Sequence, residues 1–179
     1  MLLKGEEGNE FELNIKGYEF SENASDWHDA NWLNIEIRAR GPRGSWNALA
    51  PVLLTEEAEY LANWLEKKTW SPALDGIEFL EPTLSFAVVE ESEENLVLRV
   101  LFWLEFLPPW AEGSGTRERI ELSLKRKDLA SASNSLRAQL SMYPRRNPDQ
   151  PEPNARSTSS GDIAFSAHAA KLLKPDREV

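Results

Sequence analysis

Apolar and polar residues alternate with a period of two along several stretches of the chain. The clearest stretch runs from 33 to 39, where odd positions are apolar and even positions are amide or charged. Strict alternation is typical of a β-strand with one buried and one wet face. The same pattern predicts further strands at 11–15, 77–79, 84–88 and 120–124.

Glycine and proline set the expected ends of the first strands, because both residues interrupt regular backbone structure. Gly17 is expected to end the strand at 11–15, and the sequence Gly-Pro-Arg-Gly at 41–44 to end the next one. A short return strand is then expected at 46–49.

The run 96–106 carries an apolar residue at every even position and predicts a central strand that ends before Pro108. Its odd positions include Leu101 and Trp103, which would be a candidate binding hot spot if they were exposed. We expect the first helix to cover them instead. The acidic run at 90–95 predicts the hairpin turn that precedes this strand.

Two segments have the spacing of amphipathic helices, and each begins at a residue suited to an N-cap. The first is predicted at 56–67, with Thr55 as N-cap and a buried stripe of Ala58, Leu61, Ala62 and Leu65. The second is predicted at 128–142, with Asp128 as N-cap and a stripe of Leu129, Ala132, Leu136 and Leu140.

Together these elements predict an α+β fold. We expect a mostly antiparallel, curved or sandwich-like sheet of about six or seven strands, with the two helices packed on it. Residues 1–143 are interpreted as a single acidic domain. Residues 144–161 are rich in proline and serine and indicate a linker or extended strip. Residues 162–179 are interpreted as a C-terminal tail with a short closing helix.

The chain is strongly acidic, with 30 Asp and Glu against 20 Lys and Arg and a net charge of −10. The acids are concentrated in residues 1–128, which hold 25 acidic and 13 basic side chains. Such a charge argues against nucleic-acid and membrane partners and favours a basic one. No apolar stretch is long enough to span a bilayer or to act as a secretory signal, so we expect a soluble cytoplasmic protein.

Candidate catalytic and metal-binding residues are few. There is no cysteine, and the two histidines, His28 and His168, lie in unrelated segments. Asp26, Asp29 and Asn31 could offer oxygen ligands to a hard cation, but they lack the spacing of a calcium loop. We interpret them as loop residues that bond to the backbone. The chain is therefore predicted to be no enzyme and to use no metal or cofactor.

Two functional readings follow from the residues alone. Glu90, Glu91, Glu93 and Glu94 form the densest acidic cluster, which is either a solvated hairpin tip or a patch that holds a cationic partner. The seven tryptophans and many carboxylates leave open a carbohydrate-binding or carbohydrate-active protein. Most tryptophans adjoin apolar segments, which favours packing roles for Trp32, Trp46, Trp64 and Trp103.

A series of short motifs in the first 70 residues resembles the WapI-family immunity proteins. The series consists of Gly-Tyr-Glu-Phe at 17–20, Asp-x-x-Asp-Ala-Asn-Trp-Leu at 26–33, Trp46, Pro-x-Leu-Leu-Thr-x-Glu at 51–57 and Leu-x-x-Trp-Leu at 61–65. Ser21 stands where the family usually has a proline. None of these motifs is a catalytic signature, and we interpret them as fold markers.

The resemblance implies an immunity role. Such proteins bind the C-terminal domain of a bacterial polymorphic toxin in the cytoplasm and block it by stoichiometric occlusion. The toxin of this family is typically a nuclease, which is a basic protein because it must hold phosphates. The expected partner is therefore a basic toxin domain, with a regulatory or structural interaction module as a further alternative.

Overall fold

Two four-stranded antiparallel sheets form the framework of the protein. The structure is a computed structural model that describes residues 1–21, 24, 26–71 and 75–146. The first sheet contains, in spatial order, β1 (Leu2–Lys4), β2 (Glu10–Tyr18), β3 (Trp32–Gly41) and β4 (Gly44–Leu54). The second contains β5 (Gly76–Glu78), β6 (Leu84–Glu91), β7 (Asn95–Phe102) and β8 (Glu118–Lys125).

Within the described residues the helices are α1 (Trp27–Asn31), α2 (Thr55–Leu65) and α3 (Arg126–Leu140). Single 3₁₀ turns lie at Leu104–Phe106 and Pro109–Ala111. The predicted α+β class and sandwich-like arrangement are confirmed. The described residues contain eight strands. Seven of them overlap stretches where a strand was predicted, and the three-residue strand β1 was not predicted.

The core lies between the two sheets and is built from the alternating positions that the sequence indicates. Phe11 of β2 packs against Phe86 and Phe102 of the second sheet, with ring centroids 5.5 and 5.9 Å apart. Trp46 of β4 makes an edge-on contact with Phe102 at 4.9 Å. Aromatic pairs in this geometry add to the stabilisation that burial provides.

The helices α2 and α3 pack on each other and against the sheets. Both predicted apolar stripes are buried. The side chain of Gln139 in α3 bonds to β2, accepting from the Ile15 N–H at 2.7 Å and donating to the Leu13 carbonyl at 3.2 Å. The residues of β2 that pair with β1 are Glu10–Glu12, so Gln139 satisfies the Ile15 N–H beyond the end of the short strand. The Leu13 carbonyl also accepts from the Met1 ammonium at 2.8 Å.

Both helices begin differently from the prediction. Thr55 is not the N-cap of α2, since Leu54 occupies that position and its N–H donates to the Glu57 carboxylate at 2.9 Å. Asp128 is likewise inside α3 at its third position, where its carboxylate accepts from the Lys125 N–H at 3.1 Å. In each helix an acidic residue of the first turn, and not a residue before it, binds the free N–H.

Several strand boundaries were also wrong. Gly17 does not end β2, because the strand continues to Tyr18 through a bulge beside Gly17. The return strand expected at 46–49 is the eleven-residue β4. The central strand β7 ends at Phe102 and not at Phe106, since Leu104 adopts a positive φ of 49° and the chain turns there. That turn returns the buried Phe106 to the core.

The helix predicted at 56–67 does not cover Leu101 and Trp103. Its Trp64 contacts Phe86, whose β7 partner Val100 lies on the core face. Leu101 belongs to the opposite face of the sheet by alternation and is buried. The guanidinium of Arg117 lies over the Trp103 ring at 5.0 Å, so the hot spot considered at these two residues is partly occupied by the protein's own side chains.

The described part of the chain ends shortly after α3. Residues 144–146 contact the first sheet and α1: the Tyr18 hydroxyl donates to the Pro144 carbonyl, and the Arg146 N–H donates to Asn31 Oδ1 at 2.8 Å. The rest of the predicted linker and the predicted tail at 162–179 lie outside the described residues. Within those residues, no helix is long and apolar enough to cross a membrane.

Candidate partner-binding surface

The acidic run at 90–94 forms the tip of the β6–β7 hairpin, as predicted. The Ser92 side chain closes the turn by exchanging hydrogen bonds with the backbone of Asn95 at 3.0 and 3.1 Å. Glu90, Glu93 and Glu94 are exposed at this tip. Glu90 lies near the end of β6 and Glu93 and Glu94 lie in the turn. All three carboxylates can therefore reach a partner without breaking any of the ion pairs that the structure shows.

Glu91 differs from the other three glutamates because it is bound within the protein. Its carboxylate pairs with Arg126 at the start of α3 and accepts from the Trp70 N–H at 3.0 Å. Arg126 also donates to the carbonyls of Glu93 and Lys68, at 2.8 and 2.6 Å. The structure thus places Glu91 in a junction that holds the hairpin tip against the helices.

Two further glutamates, which the sequence analysis missed, extend this surface. Glu6 and Glu7 lie in the β1–β2 turn, where Gly8 has a φ of 84°. The Glu6 N–H donates to the Ser123 carbonyl of β8 at 3.1 Å. A hollow of about 210 Å³ consequently has Glu6 on one side and Glu90 on the other. The exposed side chains Glu6, Glu7, Glu90, Glu93 and Glu94 are called the acidic surface below.

A second hollow, of about 370 Å³, continues from the acidic surface along the outer side of β8. It shares Glu90, Val97 and Ser123 with the first. Glu121 also lines it, but the Glu121 carboxylate pairs with Arg99 at 2.7 Å. Acidic side chains therefore predominate at the hairpin end, whereas charge is partly balanced farther along β8.

The described residues of the segment 17–35 have capping and packing roles. Asp26 caps α1 by accepting from the N–H of His28 at 2.8 Å, and Trp27 is buried. The fully buried Asn31 side chain donates to the carbonyls of Trp27 and Arg146 at 2.8 and 3.1 Å. The interpretation as backbone-bonding residues is confirmed for Asp26 and Asn31. Asp29 is exposed, and it lies with Asn31 in the helix α1 and not in a loop as predicted.

Other matched motifs also have packing and capping roles. The Thr55 hydroxyl donates to the Asn31 carbonyl at 3.3 Å, and Glu57 holds the start of α2 while accepting from the Leu80 N–H at 2.6 Å. Leu61, Trp64 and Leu65 are buried.

Two observations on the described residues concern metal binding and sugar binding. The described residues contain no group of three or more potential metal ligands, and His168 lies outside them. Another hollow, of about 410 Å³, is lined in part by Glu10, Glu12 and Trp46. Glu10 pairs with Lys4 and Arg40, and Glu12 with Arg38, at 3.6–3.7 Å. Since Trp46 is buried in the core, no indole face is presented to a sugar there.

The family comparison matches most of the chain. A family model described as the immunity protein WapI-like family covers residues 1–144, which includes both sheets and all three helices. No match was found among the curated proteins or the solved structures.

Proposed function

The chain belongs to the WapI-like immunity protein family, and from that membership we propose that it binds and neutralises the C-terminal domain of a cognate bacterial polymorphic toxin. It does so in the cytoplasm, as a stoichiometric inhibitor without catalytic activity. The observation that carries this proposal is the family match over residues 1–144.

The proposed partner is a basic toxin domain, in the first place a nuclease. A nuclease must present positive charge to phosphates, so its active face attracts an acidic protein. Opposite charges on the two faces accelerate the encounter and favour the correct orientation. The 25 acidic side chains within residues 1–128 supply the attracting field.

The acidic surface is the proposed contact for that partner. Its five carboxylates come from the β1–β2 turn and from the end of the β6–β7 hairpin. The bond between Glu6 and Ser123 brings Glu6 to the hollow that Glu90 also lines. Glu91 has a supporting role in this proposal, because its pair with Arg126 positions the hairpin tip. Occlusion then follows from size, since a bound domain of this mass excludes nucleic acid from the toxin surface.

Co-expression with the toxin domain encoded immediately upstream tests the function in cells. We expect the intact chain to restore growth to cells that produce the toxin, and an unrelated acidic protein of similar size to give no rescue. Growth arrest that persists in the presence of the chain, although it accumulates in soluble form, would contradict the proposal.

A further inference from the structure

A small hollow lies where the β3–β4 turn meets β8. It measures about 210 Å³ and is lined mainly by apolar atoms of Pro42, Trp46, Trp110 and Ile120, with Arg43 and Glu118 at its rim. Cavities that hold drug-sized ligands are about 300–1,000 Å³. This hollow is therefore of a size to accept one side chain from a partner and not a cofactor.

Trp110 forms one wall of the hollow and is held in a fixed orientation. Its indole N–H donates to Glu118 Oε2 at 3.1 Å, and its ring meets the buried Trp46 edge-on at 5.5 Å. Arg43 lies over the same ring at 5.8 Å and also pairs with Glu118 at 2.8 Å. Because these contacts exist before any partner arrives, little side-chain entropy is lost on binding.

The glycines of the β3–β4 turn are what allow this close arrangement. A Cβ atom at Gly41 would stand 2.7 Å from Ile120 Cγ2, which is nearer than real Cβ contacts. Gly44 has a φ of 140°, and a Cβ atom there would stand 3.3 Å from the Trp110 ring. The sequence Gly-Pro-Arg-Gly thus does more than reverse the chain, because it lets the turn approach β8 and Trp110.

The hollow continues into the groove that leads to the acidic surface. It shares Pro42, Arg119 and Ile120 with the hollow along β8 that contains Glu7 and Glu90. One end of this continuous groove is acidic, and the other is aromatic, with the cation Arg119 between them. A partner that matches it must carry positive charge at one end and an apolar side chain at the other.

We propose that the hollow at Trp110 receives an apolar side chain of the toxin domain while the acidic surface binds a basic segment of the same domain. This inference rests on the proposed function and adds the position of the anchor. Exposed tryptophan and arginine residues that are fixed by neighbours dominate the energetics of many interfaces. Trp110 is 37% exposed, so its ring can contact a partner without leaving its place.

Replacement of Trp110 tests the anchor by surface plasmon resonance with the purified toxin domain encoded immediately upstream. We expect Trp110→Ala to weaken binding at least about tenfold, mainly through faster dissociation, because loss of short-range packing acts on the off-rate. Trp110→Phe keeps an aromatic wall but loses the bond to Glu118, and we expect a smaller loss. Neither variant should change the salt dependence of association, since no charge is removed.

Leu80→Ala provides the matched control, because Leu80 is an apolar side chain that is 61% exposed and lies outside the groove. If the wild type binds the toxin domain and both Trp110 variants bind it with the same affinity, the anchor proposal is wrong. The proposed immunity function would not be affected by that result. If Trp110→Ala proves unfolded, the affinity of Trp110→Phe for the toxin domain decides whether Trp110 is the anchor. Lack of binding by the wild-type chain would instead overturn both proposals.

Discussion

At the scale of single residues, Glu57 shows how one partly buried carboxylate holds two segments together. It accepts from the N–H of Leu54 at the start of α2 and from that of Leu80 in the β5–β6 connection. Burial raises the pKa of Glu57, the two backbone bonds oppose that shift, and nearby Glu81 adds to it. The residue therefore makes two bonds at the cost of partly desolvating its charge.

The raised pKa of Glu57 predicts how stability depends on pH. The folded state binds this proton more tightly than the unfolded state, so the contribution of Glu57 falls as pH rises from its ordinary value of 4.5 through the raised pKa. We expect the free energy of unfolding of the wild type, relative to Glu57→Gln, to decrease from about pH 4 to pH 7. Urea unfolding followed by tryptophan fluorescence measures this difference.

Glu59→Gln, on the exposed face of the same helix, is the control for the loss of one negative charge. A wild-type advantage over Glu57→Gln that grows with pH would show that the desolvation of Glu57 does not outweigh its hydrogen bonds.

The sequence did not show which glutamate of the run 90–94 is bound within the protein and which are exposed. Alternation and turn composition correctly predicted an acidic hairpin tip, but nothing local marks Glu91 as the partner of Arg126, which follows 35 positions later. The contribution of Glu6 and Glu7 was missed for the same physical reason. Their proximity to Glu90 depends on the packing of one sheet's turn against the other sheet's edge.

At the scale of elements, α1 and residues 144–146 clamp the end of the first sheet. Asn31 exchanges two hydrogen bonds with the backbone of Arg146 and donates a third to Trp27. The Arg146 guanidinium lies 3.4 Å from the centre of the Tyr18 ring, and that of Arg145 lies 4.8 Å from the centre of the Trp27 ring. The motif residues at 17–33 thus join distant parts of the chain.

Replacement of Asn31 tests this clamp. We expect Asn31→Ala to lower the free energy of unfolding by about 1–3 kcal/mol, because it leaves buried backbone groups without partners. Asn34→Ala is the matched control, since Asn34 makes a single, longer bond of 3.3 Å to the Tyr18 carbonyl. Equal unfolding free energies for the two variants in a urea titration would rule out the clamp as a major source of stability.

The elements that the sequence predicted best are those with a long, regular pattern. The stripes of α2 and α3 and the alternation in β3 and β8 are buried as expected, because burial of one face is what selects such patterns. The short strand β1 carries too few residues for a period to show, whereas the equally short β5 overlaps the strand predicted at 77–79. The end of β7 depends on the backbone turn at Leu104, which apolar spacing does not encode.

At the scale of the whole molecule, one groove joins a cluster of negative charges to an apolar hollow. The acidic surface lies at one end of the groove along β8, and the Trp110 hollow lies at the other. Sequence composition gave the sign of the charge, and the basic partner that it favours stays a prediction. Composition could not predict the groove, because the walls of the groove come from turns of the first sheet and a strand of the second.

Charge reversal tests the acidic end of the groove. We expect Glu90→Lys, Glu93→Lys and Glu94→Lys, combined in one variant, to slow association with the toxin domain and to weaken its dependence on salt. The control reverses Glu19, Glu59 and Glu81, which are exposed and lie outside the groove. Association rates are measured by stopped flow at several ionic strengths for the hairpin variant and for the control. Equal rates for the two variants would exclude the hairpin tip from the interface.

Isothermal titration of the purified chain with the toxin domain encoded immediately upstream tests the central claim most directly. We expect saturation at one chain per toxin domain, with loss of toxin activity at the same equivalence point. Injection of folded chain without heat of binding, at concentrations where the toxin domain remains fully active, would contradict the immunity function.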